Sequence, residues 1–352
     1  MTKPVRVLLA DDSPTIRHYL SSIMVEMNNI TIVGEARNGR EVVELVHKLQ
    51  PDVVSMDINM PTMDGLEATR QIMAEIPTPV VVVSGLIESD VELSIRALEA
   101  GALAVVEKPP DRENPLFEEK RKRLVTAIRA MSGVSVVSRK YNHRPLASDS
   151  QEFATVKPKT DRLTRPEIIA IGASTGGPSA IHRILKEFPP NLSVPVVIVQ
   201  HMPHEFLQGL ARWLERSTDL QVKIADAGDE IKAGHVYIAP GTSHMTLKRQ
   251  EGQLFVRLIR ERGTPQYQPS INMLFNSVAT TCGSNAIGVI LTGMGDDGAS
   301  GLLAMKQASA RTLAQDETSS TVYGMPNAAV LCGAVNYEVP LASLASEILK
   351  ML

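Results

Sequence analysis

Short apolar runs alternate with helical periodicity along the first third of this 352-residue chain. Val5-Arg6-Val7-Leu8-Leu9 reads as a β-strand, and Ile16, Leu20, Ile23, Met24 and Met27 then recur at the spacing of one helix face. Ile30–Val33 predicts a second strand, and Val42, Leu45, Val46 and Leu49 a second helix. Val53-Val54 behind Pro51-Asp52, then Pro79–Val83, then Leu103–Val106 give three more strands. Strands this continuously apolar, separated by helices, imply a parallel sheet covered on both faces. The pattern predicts a five-stranded, doubly wound α/β domain over residues 1–132.

The alternation stops between residues 133 and 165. Seven lysines and arginines face three acids there, with no helical or alternating pattern, so the segment reads as a solvated basic tether. From Glu167 the alternation returns. Ile168–Ile171, Val196–Val199, Val236–Ala239, Ala286–Leu291 and Arg311–Ala314 predict strands. Ile181, Ile184, Leu185 and Phe188 mark one helix face, and Phe206, Leu210 and Leu214 another. Met245–Leu247 and Leu254–Leu258 suggest a β-hairpin inserted in a second α/β domain, residues 166–352, whose sheet is otherwise mostly parallel.

Composition narrows the function classes. Hydrophobic residues at 43% and charged residues at 21% are globular values, so each half can bury its own core. A net charge of −3 gives no electrostatic reason to expect nucleic acid. The two cysteines, Cys282 and Cys332, lie among small and apolar residues without metal spacing, which predicts buried, reduced thiols. With no signal peptide and no apolar stretch of about 20 residues, a cytoplasmic protein without membrane insertion is expected.

Polar residues collect just past the first domain's strands. Asp11 and Asp12 follow strand one, Asp57 follows strand three, Ser84 ends strand four, and Lys108-Pro109 follows strand five. In an open parallel sheet these positions share one rim. A single aspartate there would commonly cap the next helix. Three carboxylates together raise one another's pKa unless a cation intervenes, and oxygen ligands suit Mg²⁺.

This half resembles the receiver domain of two-component response regulators. The resemblance rests on Asp11-Asp12, on Met56-Asp57-Ile58-Asn59-Met60-Pro61-Thr62-Met63-Asp64-Gly65, and on Ser84 and Lys108-Pro109. It implies that Asp57 accepts a phosphoryl group from a histidine kinase. Asp12, Asp57 and the Asn59 carbonyl would ligate Mg²⁺, and Asp11 would hold a metal-bound water. Lys108 would contact the phosphoryl group and Ser84 would be the switching hydroxyl. Pro110 doubles the usual single proline after the lysine.

In the second half, Gly172-Ala173-Ser174-Thr175-Gly176-Gly177 follows the first strand, placing a serine at a glycine-rich turn. A phosphate-binding loop has a similar outline, but Ser174 occupies the middle glycine of a dinucleotide fingerprint and no acidic residue closes a nearby second strand. His201 emerges after Val196–Gln200, and Asp297 lies in Leu291-Thr292-Gly293-Met294-Gly295-Asp296-Asp297-Gly298. Spacing alone leaves Asp296 open as the acid. Serine needs an adjacent base, and a histidine is held for that task by a carboxylate. The order Ser…His…Asp differs from the Ser…Asp…His of α/β-hydrolases.

The second half also resembles the catalytic domain of the CheB family of chemotaxis receptor methylesterases. Ile171–Pro178, Val199-Gln200-His201-Met202-Pro203, Tyr237-Ile238-Ala239-Pro240-Gly241, Leu291–Gly298, Ala314-Gln315-Asp316-Glu317 and Tyr323-Gly324-Met325-Pro326 carry the resemblance. It implies a Ser174–His201–Asp297 triad, an oxyanion-hole amide from Met294, and support from Thr175. It further implies hydrolysis of glutamate γ-methyl esters, and deamidation of glutamines, on cytoplasmic chemoreceptor helices, with no cofactor for that chemistry. Gln268-Pro269-Ser270-Ile271-Asn272 departs from the family's Arg-Pro-Ser-Val-Asp, which opens the question of substrate contacts. A non-catalytic phospho-switch scaffold, or the same hydrolase acting on another protein, remain as alternatives. No helix-turn-helix follows Arg165 to support DNA binding.

Overall fold

Valine and isoleucine runs build two parallel sheets. The computed structural model describes residues 3–26, 29–85, 88–134, 165–260 and 267–352. The tether read over residues 133–165 lies outside these, apart from its ends.

The first domain comprises β1 (Val5–Ala10), α1 (Pro14–Val25), β2 (Ile30–Ala36), α2 (Gly39–Leu49), β3 (Val53–Met56), α3 (Gly65–Glu75), β4 (Val80–Ser84), α4 (Glu88–Glu99), β5 (Ala104–Glu107) and α5 (Phe117–Ser132). Its parallel sheet has the order β2-β1-β3-β4-β5. The chain starts in the middle, moves to one edge, then returns to the other side of β1. The crevice where the order reverses lies beyond the carboxyl ends of β1 and β3, between Asp11-Asp12 and Asp57.

The second domain comprises β6 (Ile168–Ala173), α6 (Gly177–Lys186), β7 (Val196–Gln200), α7 (His204–Ser217), β8 (Gln221–Ile224), β9 (His235–Ile238), β10 (His244–Gln250), β11 (Gln253–Ile259), α8 (Ile271–Cys282), β12 (Ala286–Ile290), α9 (Ala299–Gln307), β13 (Arg311–Gln315), α10 (Met325–Leu331), β14 (Tyr337–Val339) and α11 (Leu341–Lys350). The order β14-β13-β12-β6-β7-β9-β8 is parallel throughout. β10 and β11 form the expected antiparallel hairpin apart from this sheet. Its strand β10 packs on α8, and the Leu247 amide donates to Ser277 Oγ at 3.1 Å.

Two strands were not expected from the hydrophobic pattern. β8 and β14 are the sheet's edges, and each buries only part of its surface. One cysteine expectation is corrected. Cys282 is buried, but Cys332 is exposed, because the short helix α10 ends there and the chain turns outward through Gly333 at φ 76°. Both thiols are free.

The two domains touch. Ile95 and Leu98 of α4 share an apolar cluster with Ile181 of α6 and with Leu210 and Trp213 of α7. Ser179 Oγ of α6 lies 3.5 Å from the Leu98 carbonyl oxygen. Among the described residues no helix is long and apolar enough to cross a membrane.

Candidate active site

Three neighbouring strands, β12, β6 and β7, deliver the serine, histidine and aspartate to one rim. Ser174 follows β6 directly, and its amide donates to the Thr292 carbonyl at 3.1 Å. His201 follows β7, and its amide donates to the Ala173 carbonyl at 2.9 Å. The Gln200 side chain ties the two positions together. Its Nε2 donates to the carbonyls of Ser174 at 2.8 Å and His201 at 3.0 Å. Gly177 makes that contact possible, since a Cβ there would stand 2.1 Å from Gln200 Oε1.

Asp297 supplies the carboxylate. Its Oδ2 lies 2.9 Å from His201 Nε2. It is 1% exposed, and its remaining lone pairs are taken by the start of α8. The amides of Ile271 and Asn272 donate at 2.7 and 3.0 Å, and Ser270 Oγ donates at 3.0 Å. Burial pushes the Asp297 carboxyl up. The His201 hydrogen bond and charge and the two helix amides outweigh it and hold the group below the usual carboxylate range. Asp296, left open by spacing, is exposed and accepts from the Tyr267 hydroxyl at 3.4 Å. Geometry therefore puts Asp297, and not Asp296, on the imidazole.

Thr175 joins the site through its backbone carbonyl, which accepts from Thr292 Oγ1 at 2.9 Å. Met294 is 41% exposed on the same loop. That loop is pinned by the Gly293 amide on Val322 O, and by Gly293 O accepting from the Met325 amide. The residues that depart from the family pattern have defined places. Gln268 Nε2 donates to Thr242 O at 2.7 Å. Asn272 Oδ1 accepts from Ser300 Oγ and the Gly301 amide, both at 2.8 Å, while its own amide serves Asp297. Neither departure disturbs the histidine–aspartate pair.

A cavity of about 310 Å³ lies over Ser174 and His201. Thr175, Tyr267, Gln268 and Met294 line it from the second domain. Val106, Lys120, Arg123 and Thr126 of β5 and α5 line it from the first.

The first domain's polar rim assembles as expected. Oxygens of Asp11, Asp12 and Asp57 lie within 4.8 Å of one another. Lys108 Nζ reaches Asp11 Oδ2 at 2.8 Å and Asp57 Oδ1 at 3.0 Å. Burial, reinforced by the Asp11 charge and opposed by Lys108, pushes the Asp57 carboxyl up to about 6. Burial pulls the Lys108 ammonium down, but the bond to Asp11 and the charge of Asp57 outweigh it and raise it overall. Ser84 is buried, with its Oγ lacking a hydrogen-bond partner. Asn59 is exposed two residues past Asp57. Gly65 is required behind the loop, because a Cβ there would stand 2.1 Å from the Asp57 carbonyl oxygen.

Comparison with known proteins agrees with both halves. Residues 169–348 match the model of the CheB methylesterase family, and residues 7–116 that of the response regulator receiver domain. A protein-glutamate methylesterase/protein-glutamine glutaminase of Myxococcus xanthus is 45% identical over 98% of this chain and 96% of its own length. The chain belongs to the CheB methylesterase family. A second such relative, from Syntrophus aciditrophicus, is 40% identical over 99% of this chain and 98% of its own. The crystal structure of the Thermotoga maritima CheB methylesterase catalytic domain is 35% identical, with a TM-score of 0.52 over 54% of this chain and all of that one.

In this CheB-family chain three site neighbours went unread in the sequence. Gln200 is visible only as a polar residue ending an apolar strand. Ser270 carried a helix N-cap signal but nothing that linked it to Asp297. Tyr267 had no local signal. Its ring stacks on His201 with centroids 5.3 Å apart and planes 4° from parallel.

Proposed function

We propose that the protein is a phosphorylation-regulated methylesterase that hydrolyses glutamate γ-methyl esters, and deamidates glutamines, on cytoplasmic helices of chemoreceptors in chemotactic adaptation. Residues 1–132 act as the receiver, 133–165 as the tether and 166–352 as the hydrolase. The observation that carries this reading is the His201–Asp297 pair, 2.9 Å apart, facing one cavity with Ser174.

With Nε2 on Asp297, Nδ1 of His201 is the nitrogen left to take the Ser174 hydroxyl proton. Ser174 Oγ attacks the ester carbonyl carbon. The imidazolium, stabilised by Asp297, returns the proton to the departing methoxide and methanol leaves. Water, deprotonated by His201, then cleaves the acyl-serine to give glutamate. A glutamine loses ammonia by the same steps. The Met294 amide would hold the oxyanion, a contact worth about 2.7–4 kcal/mol per donor. Each product adds a negative charge to a receptor helix face and alters its packing.

In the receiver, Asp57 would take the phosphoryl group from a histidine kinase. A new P–O bond forms as the donor's P–N bond breaks. Hard carboxylate oxygens crowded within 4.8 Å, one of them pushed up to about 6, fit a Mg²⁺ ion. Asp12, Asp57 and the Asn59 carbonyl would hold it, with Asp11 on a bound water. When bound, Mg²⁺ neutralises the carboxylates and the incoming phosphoryl charge. Lys108 would meet the phosphoryl oxygens, and the partnerless Ser84 hydroxyl would turn toward them.

Regulation acts by cover. The packing of α4 on α6 and α7, with β5 and α5 closing the cavity over Ser174, supports a receiver that blocks receptor helices until Asp57 is phosphorylated. The test is methanol release from methylated receptor. Wild type should be stimulated by a phosphoryl donor, Asp57→Ala should not respond, and Ser174→Ala should release none. Release by Ser174→Ala at the wild-type rate would overturn the assignment.

A further inference from the structure

We infer a second activity, which rests on that reading of Ser174: with the receiver in place, the protein hydrolyses small carboxylic esters that never enter as part of a receptor helix. The docked receiver leaves the histidine–aspartate pair and its supports standing. The His201–Asp297 hydrogen bond is 2.9 Å, all three α8 contacts to Asp297 are formed, and Tyr267 remains stacked on the imidazole. It also leaves access to solvent. The His201 side chain is 15% exposed and Met294 is 41% exposed with the first domain against them.

What the receiver removes is room. The remaining cavity measures about 310 Å³. An α-helix is about 10–12 Å across with its side chains. β5 and α5 wall the cavity across from Ser174 and His201, so a receptor helix cannot lie over the serine while the receiver stays docked. Small-molecule pockets begin at about 300 Å³, so a free ester of a few carbons fits. The walls favour uncharged acyl and alkoxy groups, because Leu98, Leu103, Val106 and Met202 line much of the cavity and its charged residues are paired, Lys120 with Glu107 and Arg123 with Glu119.

The reaction balances as a hydrolysis. Ser174 Oγ bonds to the carbonyl carbon and the ester C–O bond breaks, with the serine proton passing through His201 to the leaving alcohol. Water then supplies a hydroxyl to the acyl carbon and a proton back to Ser174, releasing the free acid. No oxidant or reductant enters. Phosphorylation of Asp57 thus changes which substrates reach Ser174 and leaves its intrinsic reactivity unchanged.

The test compares two substrates on the full-length protein, with and without acetyl phosphate and Mg²⁺. p-Nitrophenyl acetate reports the small ester, and methanol release reports methylated receptor. Expected are p-nitrophenolate release that depends on Ser174 and changes by less than about twofold on phosphorylation, and receptor hydrolysis that rises about tenfold or more. A small serine-directed sulfonyl fluoride should inactivate both states at the same rate. Parallel stimulation of both substrates would overturn the inference, as would receptor hydrolysis with no Ser174-dependent turnover of the small ester in either state. Failure of both substrates in both states would instead remove the methylesterase reading itself.

Discussion

Ser270 and Asp297, 27 residues apart in the chain, are joined by a 3.0 Å hydrogen bond on a carboxylate that also holds His201. Ser270 is at once the N-cap of α8, accepting from the Met273 amide at 3.4 Å. Helix start and triad acid are therefore one structure. Asp297→Asn leaves the imidazole without its anion and puts an NH2 donor where an oxygen accepted from the Ile271 or Asn272 amide, lowering kcat by roughly 10³–10⁴-fold. Ser270→Ala should cost about 1 kcal/mol of stability through the lost cap. It should slow kcat by about ten- to hundredfold, the scale of one hydrogen bond to a charged group. Steady-state methanol release and denaturant unfolding measure the two effects separately.

Tyr267 gives a second prediction. Its ring lies parallel to His201, and its hydroxyl donates to the exposed Asp296. Tyr267→Phe keeps the stack and should retain near-wild-type kcat. Tyr267→Ala should lower kcat by about two- to twelvefold, the scale of an aromatic pair, with less effect on KM. Equal losses in both variants would assign the effect to the hydroxyl.

Buried strands were legible because a sheet covered on both faces demands unbroken apolar runs, as in Val80–Val83 and Val196–Val199. β8 and β14 escaped because edge strands bury too little to leave that mark. The candidate site divides in the same way. Ser174, His201, Asp57 and Lys108 stand at strand ends or glycine-marked turns, which are local signals. Tyr267 and Ser270 act on residues far along the chain, and only tertiary folding brings them there. The Gln268 and Asn272 departures opened the question of substrate contacts. Their side chains brace Thr242 and the start of α9, and Gln268 also lines the cavity over Ser174.

The interface predicts how the cover can be lifted without phosphate. Ser179 of α6 faces the Leu98 carbonyl at 3.5 Å. A Ser179→Trp wedge should separate the surfaces and raise unphosphorylated receptor hydrolysis roughly tenfold, within the usual range of intramolecular coupling. An unchanged basal rate would place the inhibitory contact elsewhere.

Gly177→Ala tests the link between Gln200 and the serine turn. The new Cβ would stand 2.1 Å from Gln200 Oε1 and 2.8 Å from Ala173 Cβ. Overpacking of this kind costs about 1–3 kcal/mol. The displaced Gln200 should also lower kcat, so the variant should lose activity at temperatures where it is still folded by circular dichroism.

The two thiols should separate by pH. Burial, with Glu167 adding to it, pushes the Cys282 thiol up to about 12, whereas Cys332 is exposed. At pH 8 a disulfide reagent should modify one thiol per folded chain, and Cys332→Ser should abolish that reaction. Between pH 9 and 12 the unfolded chain ionises Cys282 while the folded chain does not. Stability held below pH 9 is therefore lost as pH rises, by up to about 1.4 kcal/mol per pH unit. Cys282→Ala should flatten that alkaline slope.

The strand order of the second sheet ties activity to completeness of synthesis. The chain lays down β6 and β7, runs to the edge strand β8, steps back to place β9 between β7 and β8, and only then returns to place β12 on the other flank of β6. Ser174 and His201 belong to the outward journey and Asp297 to the return. A polypeptide still emerging from the ribosome holds the nucleophile and base without their carboxylate for nearly a hundred residues, so a truncated or half-made hydrolase is silent by construction.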